Sequence, residues 1–274
     1  MLERPILVLA FEGLFDASES ATGAVRWLAD RYEAEGVCGI DPDPYFDFTE
    51  RRPQVRTDED GVRVIDWPEN ELLAATDTAQ PHDLLLMAGV EPHLRWRSFA
   101  DDVADIAQRA ESELVVTLGS MVDVVPHTRP LSVKGSSTTK ALASRLGLGR
   151  PTYEGPTGLV GVLHDTLDKA QLPVISLRVG VPHYVAGAPN PKGTMSLLER
   201  FERVTGIETG YADLSTAVEE WEAQVSEAVA NDDEAADYVR RVETEADQRL
   251  AENLPSGDDL AAEFERFLRE RRDE

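Results

Sequence analysis

Short apolar runs alternate with helical stretches along residues 1–210, and this alternation limits the chain to few folds. The runs have the length of β-strands, whereas the stretches between them repeat apolar residues every three or four positions, as helices do. Such alternation is typical of parallel strands joined by crossover helices. The sequence therefore predicts an α/β fold with a mostly parallel sheet covered by helices on both faces. The apolar runs span residues 6–11, 37–40, 84–88, 114–118 and 174–181.

Helices are predicted between these runs, and glycines mark two of their ends. Gly36 and Gly147 follow helical stretches, where glycine commonly ends a helix. Residues 41–79 are rich in Pro, Asp, Glu and Arg, so we treat them as an insertion or excursion. Within them, the alternation over residues 62–65 predicts an edge strand or hairpin. The predicted helices span residues 20–35, 99–110, 137–146, 157–170 and 195–205.

The composition changes near residue 210. Residues 211–274 hold 20 acidic and 7 basic side chains but one glycine and one proline. Their apolar spacing predicts two amphipathic helices and a third that begins at Ser256 and buries Phe264 and Phe267. We expect an α/β body over residues 1–210 and an acidic helical segment over residues 211–274. This segment either lies in a partner's groove or, as we favour, packs Trp221 on the body or between protomers.

Charge and cysteine content exclude several classes of function. The net charge of −25 repels nucleic acid and anionic lipid, and no cluster of basic residues offsets it. The single cysteine, Cys38, forms no internal disulfide, which indicates a reducing compartment; its place in an apolar run predicts a buried, unreactive thiol. No apolar stretch has the length of a membrane span or the form of a secretory signal. We expect a cytoplasmic protein without nucleic-acid or membrane partners.

Polar residues that follow the strands are the first candidates for a site. In open α/β sheets, ligands bind beyond the carboxyl ends of the strands, so these residues are expected to meet in one crevice. The alternative is that they only turn the chain and cap helices, as such residues do throughout α/β proteins. The candidate crevice contains Glu12, Ser120, His127, Arg129, His183 and Tyr184.

Two loops before predicted helices are candidates for anion binding, although neither has Walker spacing. Residues 134–140 offer amides and lysines at the start of a helix, or simply its N-cap. In residues 155–161, Gly158 and Gly161 occupy early helical turns, where glycine costs about 1 kcal/mol relative to alanine. A ligand or the neighbouring backbone therefore approaches closely there. Gly155 and Thr157 join the candidate crevice.

The sequence contains no motif that matches covalent or metal catalysis. Ser120 lacks the second glycine of a G-x-S-x-G elbow. The five histidines include no H-x-x-x-H or H-E-x-x-H pair, and His164 is predicted to be partly buried and hydrogen-bonded on a helix. We therefore assign no catalytic residue, no metal site and no cofactor.

Several segments match one family in their order and spacing: residues 45–53, 118–130, 155–164, 181–184 and 254–264. On these segments the chain resembles the PAC2 family in its actinobacterial branch. The resemblance implies a phosphorylase/hydrolase-like α/β body, a helical C-terminal segment and homo-oligomers, including trimers. It also implies kinship with proteasome assembly chaperones, some of which dock through a C-terminal hydrophobic-Tyr motif that the ending 271–274 does not match.

Two functional hypotheses follow. The first is a non-catalytic oligomeric scaffold, similar to proteasome assembly chaperones, with a protein complex such as the proteasome as partner. The second is an enzyme or small-molecule-binding protein, related to nucleoside phosphorylases, hydrolases or ATP-grasp ligases, that uses the strand-end crevice.

Overall fold

The computed structural model describes residues 2–76 and 80–253, and its described part contains nine strands and seven α-helices. The strands are β1 (Ile6–Glu12), β2 (Glu35–Ile40), β3 (Gln54–Thr57), β4 (Arg63–Asp66), β5 (Asn70–Ala75), β6 (Leu84–Val90), β7 (Leu114–Asp123), β8 (Val133–Ser136) and β9 (Val174–Pro182). The helices are α1 (Ser20–Arg31), α2 (Trp96–Arg109), α3 (Lys140–Leu146), α4 (Leu159–Lys169), α5 (Pro191–Thr205), α6 (Ser215–Ala230) and α7 (Asp233–Asn253).

Seven of these strands form one mixed sheet in the order β2-β5-β6-β1-β7-β9-β8. The four central strands β6, β1, β7 and β9 run parallel, while β5 and β8 pair antiparallel with their neighbours. The remaining two strands, β3 and β4, form a separate antiparallel hairpin. The predicted α/β class with a mostly parallel sheet is confirmed.

The central strands are apolar along their whole length because both faces of the sheet are covered. On β1, Val8 and Ala10 lie in the core beneath α1 and α5, whereas Leu7 and Leu9 lie in the core beneath α2 and α4. A strand with one face in water would alternate apolar with polar residues. The continuous apolar runs in the sequence are therefore a direct consequence of this two-sided burial.

Several predicted helix boundaries and one predicted burial were wrong: α2 and α5 begin at Trp96 and Pro191 rather than at residues 99 and 195. Helix α1 ends at Arg31 rather than at residue 35, because Glu33 adopts a left-handed conformation (φ 47°) and β2 begins two residues later. Residues 134–136 do not open a helix, because they pair with β9 as β8, and α3 begins only at Lys140. Cys38 is exposed rather than buried, since β2 is the outermost strand of the sheet.

The region of residues 41–79 contributes a strand that the sequence pattern did not indicate. Its β5 lies in the main sheet between β2 and β6, and the Asn70 side chain accepts a hydrogen bond from the backbone N–H of Val90 (2.7 Å). The predicted hairpin is confirmed as β3 and β4. The earlier residues Tyr45 and Phe46 are buried against α2, with the Tyr45 ring edge-on to that of Phe99 (5.3 Å).

The two amphipathic helices predicted after residue 210 are α6 and α7, and most of their apolar residues are buried, although Leu250 near the end of α7 is 65% exposed. Val218, Trp221 and Val225 on α6 and Val239 and Val242 on α7 are each less than 10% exposed. The third predicted helix, with Phe264 and Phe267, lies outside the described residues. No α-helix in the described part combines the length and apolarity needed to cross a membrane.

Candidate functional site

The sheet contains the feature that places ligand sites in α/β folds. From β1 the chain continues to the β6 side of the sheet, and later crosses to β7 on the other side, so the topology switches between β1 and β7. The two strands pair only as far as Leu9 and Thr117. Beyond them β1 continues to pair with β6, out to Glu12 and Val90. A crevice between β1 and β7 is the expected ligand site of such a sheet.

The chain fills this crevice with its own loop between β1 and α1. The backbone N–H of Ser120 on β7 donates to the carbonyl of Phe15 (2.7 Å), and the Ser120 hydroxyl donates to the carbonyl of Ala17 (2.7 Å). Asp16 anchors the same loop by accepting hydrogen bonds from the backbone N–H groups of Ala21 and Thr22. Ser120 is fully buried, so its hydroxyl fastens this loop and does not face an open cavity.

Replacing Ser120 with alanine is expected to cost about 1 kcal/mol of unfolding free energy, because the Ala17 carbonyl loses its donor. Chemical denaturation measures this change. Ser112 is the matched control, because its hydroxyl is buried without a hydrogen-bond partner in the structure. Ser112→Ala should leave stability unchanged or raise it. Equal effects of the two substitutions would contradict the anchoring role of Ser120.

On the β7 and β9 side of the loop, four predicted residues meet beneath the C-terminal helices, and we call them the His127 cluster. His127 is 1% exposed. Its backbone N–H donates to the Tyr184 hydroxyl (2.8 Å), its Nδ1 lies 2.8 Å from the same oxygen, and its Nε2 lies 3.0 Å from the hydroxyl of Ser226 on α6. The exposed ring of His183 lies edge-on to Tyr184, with ring centroids 5.5 Å apart. The cluster consists of His127, Arg129, His183 and Tyr184.

Acidic residues of α6 and α7 neutralise Arg129 of this cluster and the neighbouring Lys192. The guanidinium of Arg129 donates from Nε and Nη2 to the two carboxylate oxygens of Asp247 (2.8 and 2.9 Å). The Lys192 ammonium donates to the carbonyl of His127 (2.6 Å) and to the Glu222 carboxylate. Both cations are therefore bound by the chain's own carboxylates.

Burial lowers the pKa of His127, and the nearby Lys192 ammonium lowers it further against the opposing effect of Glu222 and Glu243. Burial also raises the pKa of the Tyr184 hydroxyl. At neutral pH both groups are therefore uncharged. Their hydrogen bonds are satisfied within the protein, so the cluster serves as a polar seam between the body and the helices.

On the β1 and β6 side of the loop, a second group of predicted residues faces solvent. Glu12 accepts hydrogen bonds from Arg26 (2.7 Å) on α1 and from Arg51 (2.8 Å) in the region before β3. Burial acts to raise the pKa of Glu12, but the hydrogen bonds and charges of the two arginines outweigh it and leave the pKa lowered. Glu12 is therefore ionised at neutral pH and fastens residues 41–53 to the body.

A second carboxylate occupies the N-terminus of α4, where an anion would otherwise bind. Glu91 Oε1 accepts a hydrogen bond from the N–H of Leu159 (3.1 Å), and Oε2 accepts one from the N–H of Leu14 (3.2 Å). Gly13 makes this approach possible, because a Cβ there would lie 2.6 Å from Glu91 Oε2. The glycines at the start of α4 predicted that some group packs closely against them. That group belongs to the protein itself, because a Cβ on Gly158 would lie 3.2 Å from the Phe15 ring.

These residues border an open cavity of about 560 Å³, which we call the strand-end pocket. Thr157 lines it, whereas Gly155, in the preceding exposed loop, does not. Its walls combine apolar side chains with two carboxylates, one arginine and one imidazole. The lining residues are Glu12, Gly13, Leu14, Arg51, Val90, Glu91, Pro92, His93, Trp96, Thr157 and Gly158.

The structure thus separates the residues of the predicted crevice into two groups on either side of a filled centre. Glu12 and Thr157 belong to the strand-end pocket, four residues belong to the His127 cluster, and Ser120 lies in the filled crevice between them. The sequence pattern did not indicate Arg51 or Trp96 as residues of the pocket, nor Lys192 or Asp247 as partners of the cluster. Only their places in the tertiary structure identify them, because none lies directly after a predicted strand.

The fold and this arrangement define a class: an α/β protein with a mostly parallel sheet, a crevice filled by its own chain and a C-terminal helix pair over the strand ends. The chain belongs to the PAC2 family, whose family model matches residues 10–229. The resemblance drawn from the sequence segments is therefore confirmed. A search of curated proteins found no match.

Solved structures of relatives agree with this assignment. A PAC2 family protein from Streptomyces avermitilis is 38% identical, with a TM-score of 0.80; the match covers 86% of this chain and 99% of that one. The proteasome-assembly chaperone homologue of Mycobacterium tuberculosis is 39% identical, with a TM-score of 0.77 and coverage of 85% and 99%. An archaeal proteasome activator from Pyrococcus furiosus shares the fold at 15% identity, with a TM-score of 0.64 and coverage of 83% and 94%.

Proposed function

We propose that this protein is a non-catalytic, oligomeric scaffold that assists proteasome assembly in the cytoplasm. The observation that carries the proposal is the 39% identity, over 85% of this chain and 99% of that one, with the Mycobacterium tuberculosis proteasome-assembly chaperone homologue. Two structural features support it. The loop between β1 and α1 fills the crevice between β1 and β7, and α6 packs over His127, so Ser120 and His127 are both closed to solvent.

Reconstituted assembly tests this function. Purified α and β subunits of the proteasome core particle are mixed with and without the full chain, and assembly is followed by native gels and peptidase activity. We expect the chain to migrate with assembly intermediates and to speed the formation of complete particles. Absence of any complex, together with unchanged assembly kinetics, would overturn the proposal.

A control for charge is necessary because a protein of net charge −25 attracts basic surfaces without specificity. An unrelated protein of similar size and net charge serves as the comparison, and both are tested at low and at moderate salt. Binding that only the scaffold shows, and that survives screening of exposed charges, supports specific recognition. Equal binding by the two acidic proteins would contradict it.

The strand-end pocket supports a second candidate function, the binding of a small molecule. Its volume of about 560 Å³ lies within the range of ordinary ligand pockets. Glu91 already occupies the N-terminus of α4, and Glu12 is ionised, so the pocket favours neutral compounds such as nucleosides over phosphorylated ones.

A thermal-shift screen with nucleosides and nucleotides tests this second function. A ligand at 100 times its dissociation constant adds about 2.7 kcal/mol of stability, which is readily detected. Trp96→Ala, which alters the pocket wall, should reduce any shift, whereas Arg129→Ala, in the His127 cluster, should preserve it. No shift with any nucleoside would argue against a nucleoside ligand, and nucleotide-specific shifts would contradict the expected preference.

A further inference from the structure

The strand-end pocket holds more carboxylates than guanidinium groups. Glu12 and Glu91 line it together with Arg51, which donates a hydrogen bond to Glu12 (2.8 Å). A second arginine, Arg26 on α1, also donates to Glu12 (2.7 Å), and its other amino group lies 3.8 Å from the carboxylate of Glu19. Three carboxylates therefore meet two guanidinium groups, and the excess charge at the pocket is negative.

Glu91 is the carboxylate that the two arginines do not neutralise. In the part of the chain that the structure describes, no ion pair joins Glu91 to a basic side chain, and its two oxygens instead accept hydrogen bonds from the backbone N–H groups of Leu159 and Leu14. The N-terminus of α4 offsets part of this charge, because a helix dipole is equivalent to about half an elementary charge. A carboxylate has about four acceptor sites, so each oxygen of Glu91 can accept a further hydrogen bond from a ligand. A cationic donor is the group that these free sites favour.

The other walls of the pocket suit a guanidinium group. Trp96 lines the pocket, and its Nε1 already donates to the carbonyl of Pro92 (2.5 Å), so the rest of the indole is an apolar aromatic surface. Arginine stacks on such rings and also binds carboxylates through two parallel hydrogen bonds. The Nδ1 atom of His93 accepts a hydrogen bond from the backbone N–H of Asp47 (3.1 Å), which leaves the ring proton on Nε2. In this form the imidazole adds no positive charge that would oppose a cation.

Three large apolar side chains stand exposed at the mouth of the pocket. Leu14 lines the pocket and is 69% exposed, and Leu94, which is 49% exposed, directly follows a lining histidine. Tyr153 is 74% exposed, and its hydroxyl donates to the carbonyl of Pro156 (3.0 Å), which directly precedes the lining residue Thr157. A small free amine would leave these side chains in water, whereas a peptide segment that carries the cation would cover them. The mouth of the pocket therefore favours a protein as the source of the cation.

We propose that the strand-end pocket binds an arginine side chain of a partner protein, with Glu91 accepting hydrogen bonds from the guanidinium and Trp96 lying against it. The proposal rests on the scaffold function and adds the chemistry of one contact with the partner. An arginine enclosed in a pocket with an apolar rim is a common anchor of protein–protein interfaces. The same carboxylates that disfavour phosphorylated ligands here attract this cation.

Two labelled peptides test the contact with the full chain. They share a sequence of alanines and leucines and differ in one central residue, which is arginine in the first and citrulline, its uncharged isostere, in the second. Fluorescence anisotropy at moderate salt gives both dissociation constants. We expect the arginine peptide to bind about tenfold more tightly, because hydrogen bonds to charged groups are stronger than those between neutral groups. Equal affinities would overturn the proposal, and spermidine that binds as tightly as the arginine peptide would overturn the assignment of a protein partner.

Substitutions show whether this preference comes from the pocket. Glu91→Gln should remove the preference for arginine over citrulline, whereas Glu220→Gln, which makes the same charge change at an exposed residue of α6, should preserve it. Trp96→Ala leaves both carboxylates in place and should weaken binding of the arginine peptide by about threefold. An undiminished preference in Glu91→Gln, with unchanged affinity in Trp96→Ala, would overturn the assigned site.

The peptide experiment and the reconstituted assembly fail separately. Accelerated proteasome assembly by a chain that does not distinguish arginine from citrulline would overturn the pocket contact alone. A preference for arginine that depends on Glu91, in a chain that neither binds proteasome subunits nor changes their assembly, would overturn the scaffold function and support the pocket contact.

Discussion

Replacing Trp221 with alanine is expected to destabilise the protein by about 3 to 5 kcal/mol, as truncation of a buried tryptophan generally does. Trp221 on α6 is 9% exposed, and its ring lies edge-on to that of His127, with centroids 6.4 Å apart. The substitution would open a cavity at the seam between the body and the C-terminal helices. Denaturant titration followed by circular dichroism measures the loss, which should appear in a single cooperative transition.

Trp67→Ala is the control for this substitution. Trp67 is 41% exposed, and its ring lies edge-on to that of Phe48 with centroids 4.8 Å apart, so its loss should cost clearly less than the loss of Trp221. Similar midpoints for Trp221→Ala and the wild-type protein would contradict a shared core between α6 and the body. A separate early transition confined to α6 and α7 would contradict it equally.

Acidification from pH 6.5 to about pH 4 is expected to remove about 2 to 3 kcal/mol of stability through His164 alone. Burial of His164 between its own helix α4 and strand β7, with a further contribution from the charge of Arg178, lowers the pKa of His164 from 6.5 to about 4. The unfolded chain therefore binds a proton in this range that the folded chain does not. The contribution is complete above pH 6.5 and is lost as the pH falls toward 4.

His164→Gln separates this effect from the other titrating groups. Glutamine does not titrate, and its side chain can replace the contact between His164 Nε2 and the Thr117 hydroxyl (2.8 Å). The unfolding free energy of this variant, measured from pH 7 to pH 4, should fall less steeply than that of the wild-type protein. His127, whose pKa is also lowered, remains in both proteins and cancels in the comparison. Parallel curves would contradict the assignment.

The central strands and the helices that cover both faces of the sheet were predictable because their sequence patterns are local. The run that became β1 is apolar at every position, since alternate residues enter opposite cores. Strand β8 was missed because its short stretch Val133–Ser136 contains one large apolar residue and pairs only at the edge of the sheet. Strand β5 begins with Asn70, whose polar side chain is stabilised by a backbone group 20 residues away.

The candidate site was predicted residue by residue but not in its arrangement. Strand-end position indicated Tyr184, and the polar segment 125–130 indicated His127 and Arg129; these three residues do lie together. The pattern gave no sign that Asp247, which is 118 residues from Arg129 in the chain, would bind its guanidinium. Nor did it show that the carbonyls of Phe15 and Ala17 would occupy the crevice at Ser120, because backbone groups carry no sequence signal.

The sequence by itself determined the α/β class, the two acidic amphipathic helices and the family, because burial imposes periodicity on neighbouring residues and the family's segments keep their order. The tertiary structure alone decided which polar residues remain open to solvent. A strand-end side chain becomes a site or a structural anchor according to what the rest of the chain places against it. That placement depends on contacts between distant residues, which local patterns do not encode.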